Sequence, residues 1–222
     1  MRVLDLACGP GHVASAAAER GALPVGLDFS SAMIALAHAY HPGILFAGGD
    51  AEALPFTEGS FDVVVANFGI HHVAEPTRAL AEARRVLTGR VAFTSWAAPA
   101  ENIAWRLLFE AISVHGDLKA ADTPPPGGPL RSPEDLLRVL NAAGFTETEA
   151  RQVRGEWRVA TPGDLVEGFR RGTVRTAALI GAQSTSALPA IEDAIARAGA
   201  AYRNPDGLAV PIVAILGSGI RG

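Results

Sequence analysis

Apolar runs and helical periodicities alternate along the first hundred residues of the chain. Five short apolar runs predict strands: Val3–Leu6, Leu23–Asp28, Ile44–Ala47, Phe61–Asn67 and Val91–Ser95. The valines of the fourth run are typical of a strand that is buried on both faces. Between these runs, apolar residues at helical spacing predict helices, among them Ala32–Ala39 and Thr77–Leu87. Such alternation predicts a parallel sheet with helices on both faces.

After Trp96 the pattern becomes more helical. The predicted elements are a helix over Glu101–His115, a turn or loop over 123–129, a helix from Ser132 to Gly144, a strand over Val153–Val159, helices over about 161–201 and a last strand over Leu208–Leu216. Ser132 followed by Pro133 and two acids is a strong helix start, because each residue type suits the first helical turn. Pro211 favours an edge or a bulge for the last strand.

The first strand ends on an acid and breaks into the glycine-rich turn Ala7-Cys8-Gly9-Pro10-Gly11. Glycines allow a tight turn and a close approach of a ligand, and the helix that follows presents N–H groups to an anion. The spacing Gly9-x-Gly11-x-x-Ala14, with Asp28 at the end of the next strand, also fits a dinucleotide fingerprint. At this point the turn predicts a nucleotide-like ligand and leaves its type open.

Composition narrows the class of protein. The chain has 222 residues, 49% of them hydrophobic, and can bury the core of one domain. A net charge of −4 without a dense cluster of Lys and Arg argues against a nucleic-acid partner. The lone Cys8, the core-like first residues and the lack of a long apolar stretch predict a cytoplasmic protein with no signal peptide and no membrane partner.

Four motifs occur in a fixed order. They are Asp5–Gly11, Gly26-Leu27-Asp28, Gly49-Asp50-Ala51-Glu52-Ala53-Leu54-Pro55-Phe56 and Phe61-Asp62-Val63-Val64-Val65-Ala66-Asn67. Together they resemble the class I S-adenosylmethionine-dependent methyltransferases, above all the small-molecule group that includes the ubiquinone and menaquinone C-methylases. The resemblance covers about residues 2–95 well, and the later region only in general form.

The resemblance implies an α/β fold: a Rossmann-like, doubly wound sheet of seven strands, mostly parallel with an antiparallel last strand. One domain is expected over residues 1–222. Its core would comprise about 1–96, 130–160 and 207–218, and a helical cap would be inserted at about 161–201.

The resemblance also implies S-adenosylmethionine as cofactor, S-adenosylhomocysteine as product and no metal. The glycine turn and Asp5 would lie by the methionine part, Asp28 would bind the ribose, and Asp50 and the Ala51 N–H would bind the adenine. Met33 would lie near the adenine, with core packing as the alternative. The implied cofactor-binding residues are Asp5, Ala7, Gly9, Gly11, Asp28, Phe29, Met33, Asp50, Ala51, Asn67 and Phe68.

The acceptor is expected to be a small organic molecule, methylated at O, N or C. His71 and His72 follow the fourth strand and are candidates for a general base, with local packing as the alternative. Asn67-Phe68-Gly69 departs from the Asp/Asn-Pro-Pro-aromatic motif of enzymes that methylate nucleic-acid bases. Trp96, Trp105 and Trp157 are candidates for binding a flat acceptor, with core packing as the alternative.

Two rival functions stay open, as does a homodimer. The first rival is a protein of the same fold that binds the S-adenosyl ligand without methyl transfer, as a regulator or a cyclase-like enzyme. The second is an NAD-dependent oxidoreductase, which has no need of the Gly49–Phe56 motif. Members of the resembled family carry a helical segment before the first strand, whereas here only Met1 and Arg2 precede it. Either the sequence starts late or another element closes the site.

Overall fold

A mixed sheet is the centre of this computed structural model, which describes residues 1–121 and 129–222. The turn or loop expected over 123–129 lies outside the described residues except for Pro129. The first five strands are β1 (Arg2–Leu6), β2 (Leu23–Asp28), β3 (Leu45–Gly48), β4 (Phe61–Ala66) and β5 (Leu87–Trp96). Each pairs in parallel with its neighbour in the order β3-β2-β1-β4-β5. The alternating pattern of the sequence therefore predicted this half of the sheet correctly.

The remaining strands are β6 (Phe145–Val159), β7 (Arg203–Asn204) and β8 (Gly207–Arg221). β8 lies between β5 and β6, and β7 pairs with β8 in antiparallel fashion. The described residues thus form eight strands rather than seven, because the two-residue β7 adds to the expected set. β8, which contains Pro211, has a neighbour on each side in the sheet order, and the alternatives of an edge or a bulge at Pro211 itself stay predictions.

Helices connect the strands and make up most of the later region. They are α1 (His12–Glu19), α2 (Ser31–Tyr40), α3 (Pro76–Val86), α4 (Ile103–His115), α5 (Pro133–Ala142), α6 (Pro162–Gly172), α7 (Val174–Gly181) and α8 (Leu188–Ala198). Short 3-10 helices cover Ile70–His72 and Gly199–Tyr202. The start of α5 confirms the expected signal: the Ser132 side chain accepts a hydrogen bond from Asp135 N–H, and Asp135 completes a capping box.

The chain divides into two compact units. The first unit comprises 1–96, 129–152 and 215–222, and the second comprises 97–128 and 153–214. Fully buried Leu4, Leu80 and Phe93 belong to the core of the first unit. In the second unit α8 packs on α4 and on α6.

Strand order places a switch point in the first unit. β1 pairs with β2 on one side and with β4 on the other, so the loops after β1 and β4 leave the same edge of the sheet in neighbouring positions. Open α/β sheets bind ligands at such a point, outside the carboxyl ends of the strands. The fold therefore predicts that a ligand binds at the turn after β1 and the loop after β4.

Over 1–121 and 129–222, no helix combines the length and apolar character that crossing a bilayer requires. In the same ranges, no group of three or more His, Cys, Asp or Glu side chains has the geometry to hold a metal ion.

Candidate functional site

The turn after β1 is built from left-handed residues. Ala7, Gly9 and Gly11 have φ values of 53°, 52° and 84°. A Cβ on Gly11 would lie 2.6 Å from the ring of Phe46, so only glycine fits there without displacement. The Cys8 N–H donates to the carbonyl of Leu27 at 3.0 Å and ties the turn to the end of β2. The same turn that the sequence singles out is therefore fixed between β1, β2 and α1.

Asp5 lies beneath this turn and is 1% exposed. Its Oδ2 accepts a hydrogen bond from Ala14 N–H in the first turn of α1 at 2.8 Å. Gly11, at the N-cap of α1, has no side chain to accept such a bond, so Asp5 serves as a remote cap. Burial raises the pKa of Asp5 to about 7; the Ala14 N–H lowers it, and the nearby Asp28 carboxylate raises it.

Asp28 joins the turn to α2 through both of its carboxylate oxygens. Oδ2 accepts from Gly9 N–H at 2.8 Å, and Oδ1 accepts from Ser30 N–H at 2.9 Å. The side chain is 6% exposed and lines a cavity of about 350 Å³ in the first unit. A carboxylate has about four acceptor positions, so each oxygen keeps capacity for a hydroxyl donor.

The cavity brings together residues from four parts of the chain. Six of its lining residues were expected from the sequence: Ala7, Asp28, Phe29, Asp50, Ala51 and His72. Six others were not: Leu27, Gly49, Glu52, Gly69, Val73 and Ala74. The volume falls in the range of small-molecule sites. Asp5, Gly9, Gly11, Met33, Asn67 and Phe68 are not among the residues that line it.

The segment that follows β3 forms one wall of the cavity. Gly49 N–H donates to the carbonyl of Asp28 at 3.0 Å, which brings the segment beside the Asp28 side chain. Asp50 is exposed, and its Oδ1 accepts from Glu52 N–H at 2.8 Å. Ala51 is 7% exposed. A carboxylate and a buried backbone amide therefore stand next to each other in this wall.

The loop after β4 approaches the turn after β1 closely. A Cβ on Gly69 would lie 2.5 Å from the Cβ of Ala7, so a larger residue would push the two loops apart. This contact between loops carries no periodic signal in the sequence. The GxGxxA-type spacing identified the first loop, but nothing comparable identified Gly69.

Asn67 and Phe68 are held by Thr94 of β5. Thr94 Oγ1 donates to Asn67 Oδ1 at 2.7 Å and accepts from Phe68 N–H at 2.9 Å. Phe68 has a left-handed φ of 55°, and its ring stacks on Trp96 with centroids 4.0 Å apart. The stacked pair lies at the carboxyl end of the sheet, and neither ring lines the cavity.

The two histidines lie together on the 3-10 helix after β4. His71 is 4% exposed, whereas His72 is exposed and lines the cavity. Their ring centroids are 4.1 Å apart. Of the two candidates for a general base, only His72 is thus placed on the cavity wall.

Trp105 and Trp157 belong to the second unit, whereas the residues that line the cavity all belong to the first unit. Both rings contact Phe169, with centroid distances of 5.0 and 4.9 Å. Trp105 is 3% exposed, and its Nε1–H faces Thr176 Oγ1 at 3.4 Å. Their role in binding an acceptor stays a prediction.

Comparison with known proteins now defines the class. The methyltransferase domain family matches residues 4–93. The demethylmenaquinone methyltransferase of Thermus thermophilus is 34% identical over 163 residues, which are 65% of this chain and 74% of that protein. The chain therefore belongs to the methyltransferase domain family, within the class I small-molecule methyltransferases.

A second relative matches over a shorter stretch, and a solved structure shares the fold over the whole chain. The demethylmenaquinone methyltransferase of Renibacterium salmoninarum is 47% identical over 85 residues. This match spans 38% of this chain and 36% of that protein, so the chain covers only about a third of this relative's length. An S-adenosylmethionine-dependent methyltransferase from Thermotoga maritima shares the fold with a TM-score of 0.56 and 16% identity, over 100% of this chain and 82% of that one.

Proposed function

We propose that this protein transfers a methyl group from S-adenosylmethionine to a small organic acceptor. The observation that carries the proposal is the meeting of Asp28, Asp50 and Ala51 in the wall of one cavity beside the glycine turn. These are the residues to which the family resemblance gives the ribose and the adenine. They come from the end of β2 and from the segment after β3, and their convergence supports one S-adenosyl-shaped site.

The residues present fit the cofactor. Asp28 has acceptor capacity left on both oxygens for the two ribose hydroxyls, and a carboxylate suits such paired donors. The Asp50 carboxylate accepts from an exocyclic amine, and the Ala51 N–H donates to a ring nitrogen. The left-handed turn after β1, of which Ala7 lines the cavity, would lie against the methionine part. When bound, the cofactor supplies an electrophilic methyl group on a sulfonium.

Positioning accounts for much of the catalysis, because methyl transfer is an in-line displacement at a carbon that is already activated. The turn after β1 and the loop after β4, which meet at the switch point of the sheet, would hold the sulfonium end. Trp96, whose ring stacks on Phe68 at the same edge, supports a flat acceptor. The names of the relatives make demethylmenaquinone the first acceptor to assay.

We further propose that a ring nitrogen of His72 removes the acceptor's proton when the acceptor is protonated. His72 is an exposed imidazole on the cavity wall, and a base in this position contributes typically 10²- to 10⁴-fold in rate. His72→Ala is therefore expected to lower kcat by about that factor while changing S-adenosylhomocysteine affinity far less. His115→Ala, at the exposed end of α4, is the matched control. An unchanged kcat in His72→Ala would remove the base assignment.

Calorimetry with S-adenosylmethionine, S-adenosylhomocysteine and NAD tests the cofactor. Binding of both S-adenosyl ligands is expected, with Asp28→Ala weakening it by about 1–3 kcal/mol because a charged acceptor is lost. Asp28→Ala also removes the contacts of this side chain with the turn. Asp28→Asn keeps one acceptor oxygen, so comparing the two variants distinguishes the loss of the charged acceptor from a disturbed turn. Asp206→Ala, on an exposed loop of the second unit, is the control. Binding of NAD in place of the S-adenosyl ligands contradicts the proposal.

Turnover separates methyl transfer from binding alone. Protein, S-adenosylmethionine and candidate acceptors are incubated, and the release of S-adenosylhomocysteine is measured. Release that depends on an acceptor is the expected result. Tight cofactor binding with no release across quinol, phenol and amine acceptors would favour the rival without methyl transfer.

A further inference from the structure

The wall segment Gly49–Phe56 lines the cavity although it contains no regular secondary structure. Its position must therefore be fixed by contacts with other parts of the chain. Side chains of α3 supply such contacts, beginning with Glu82 and Arg85. Leu54 N–H donates to Glu82 Oε2 at 2.8 Å, and the Arg85 guanidinium donates to the carbonyls of Leu54 and Phe56 at 2.9 and 2.7 Å.

Glu82 and Arg85 also fix each other. Arg85 Nε donates to Glu82 Oε1 at 2.8 Å, and Arg85 Nη2 donates to Glu82 Oε2 at 2.7 Å. This two-pronged geometry orients both side chains at once. The Arg85 hydrogen bonds hold the pKa of Glu82 below its usual range, so the carboxylate stays ionised. The pair presents one acceptor and two donors to the backbone of the wall segment.

A second contact ties the other end of the segment to the same helix. The carbonyl of Glu52 accepts from Arg78 Nε at 3.1 Å, and Glu52 Oε1 accepts from Glu75 N–H at 2.9 Å. Arg78, Glu82 and Arg85 are spaced three or four apart and share one face of α3, and Glu75 is the N-cap of this helix. This face thus contacts the segment on both sides of Ala53.

We propose that Glu82 and Arg85 are positioning residues for adenine recognition. By holding the backbone at Leu54 and Phe56, they keep Asp50 and Ala51 at the cavity wall in the arrangement that an adenine requires. The inference rests on the proposed function, since it assigns the adenine to Asp50 and Ala51. Glu82 and Arg85 do not line the cavity and act only through the segment.

The test compares S-adenosylhomocysteine with its inosine analogue, S-inosylhomocysteine, which lacks the exocyclic amine. The wild-type protein is expected to prefer the adenine compound by about tenfold, the effect of one well-placed hydrogen bond. In Arg85→Ala and Glu82→Ala the adenine compound should lose most of this advantage. Glu82→Gln, which keeps an oxygen for Leu54 N–H, should retain more of the preference than Glu82→Ala.

The preference is a ratio of two affinities measured on the same preparation. A lower fraction of folded protein affects both measurements equally and leaves the ratio unchanged. Arg138→Ala is the matched control, because Arg138 pairs with Asp135 three residues away on α5 but holds no wall segment. Full preference in Arg85→Ala, Arg85→Lys and Glu82→Ala would overturn the positioning role. A wild-type protein that binds neither compound would instead overturn the proposed function.

Discussion

Asp5 is a carboxylic acid enclosed by the first unit, with the partly positive start of α1 as its main polar contact. Burial disfavours its charged form more strongly than the Ala14 N–H favours it, and the neighbouring Asp28 charge adds to the effect. The pKa of about 7 in the folded protein contrasts with an ordinary value of 3.8. The folded state therefore binds a proton that the unfolded chain has released over the range between these two values.

This difference in proton binding determines how the free energy of unfolding changes with pH. The folded pKa is raised, so the stabilisation by the Asp5 proton is complete below about pH 4 and is lost as the pH rises through about 7. Between pH 5 and 8 the loss amounts to roughly 2–3 kcal/mol in the free energy of unfolding. Asp5→Asn keeps an oxygen for the Ala14 N–H and removes the titration, so this part of the pH dependence should vanish.

Urea unfolding of both proteins at several pH values measures the difference. Other titrating groups cancel when the wild type is compared with Asp5→Asn at each pH. The expected curve of wild type minus variant falls from pH 5 to 8. A curve that stays flat or rises would contradict a raised pKa at Asp5.

At the scale of elements, prediction from the sequence succeeded where local chemistry decides the structure. The valine run of β4 and the Ser132-Pro133 start of α5 were recognised because burial on both faces and helix capping leave direct signals. β6 was underestimated, since only Val153–Val159 alternates clearly. After the buried Phe145, its first half is mostly polar and offers no apolar alternation to recognise, in the last strand of the sheet order.

The same distinction holds for the elements of the site. The loop after β1, the end of β2 and the segment after β3 carry motifs, and Ala7, Asp28, Asp50 and Ala51 line the cavity. The contacts that join these loops were not predicted. Glu82 lies 28 residues from Leu54 in the chain, and Arg85 lies 29 residues from Phe56. Hydrogen bonds of side chains to a distant backbone have no period that a single sequence reveals.

At the scale of the whole molecule, the second unit has an aromatic core of its own. Phe169 is fully buried between Trp105 and Trp157, with both rings edge-on to it. Edge-to-face rings at such distances add to the stabilisation by buried apolar area. All residues that line the cavity belong to the first unit, so this core and the cavity draw on different parts of the chain.

Phe169→Ala tests whether this aromatic core stabilises the protein without contributing to cofactor binding. Removing a buried phenyl ring leaves a cavity, so the free energy of unfolding should fall by about 3–5 kcal/mol in urea titrations. At a temperature where the variant is folded, S-adenosylhomocysteine affinity should equal that of the wild type. Val174→Ala, an exposed position on α7, is the control that should change neither quantity. If Phe169→Ala kept full stability but weakened cofactor binding, the ring would belong to the binding site rather than to a core.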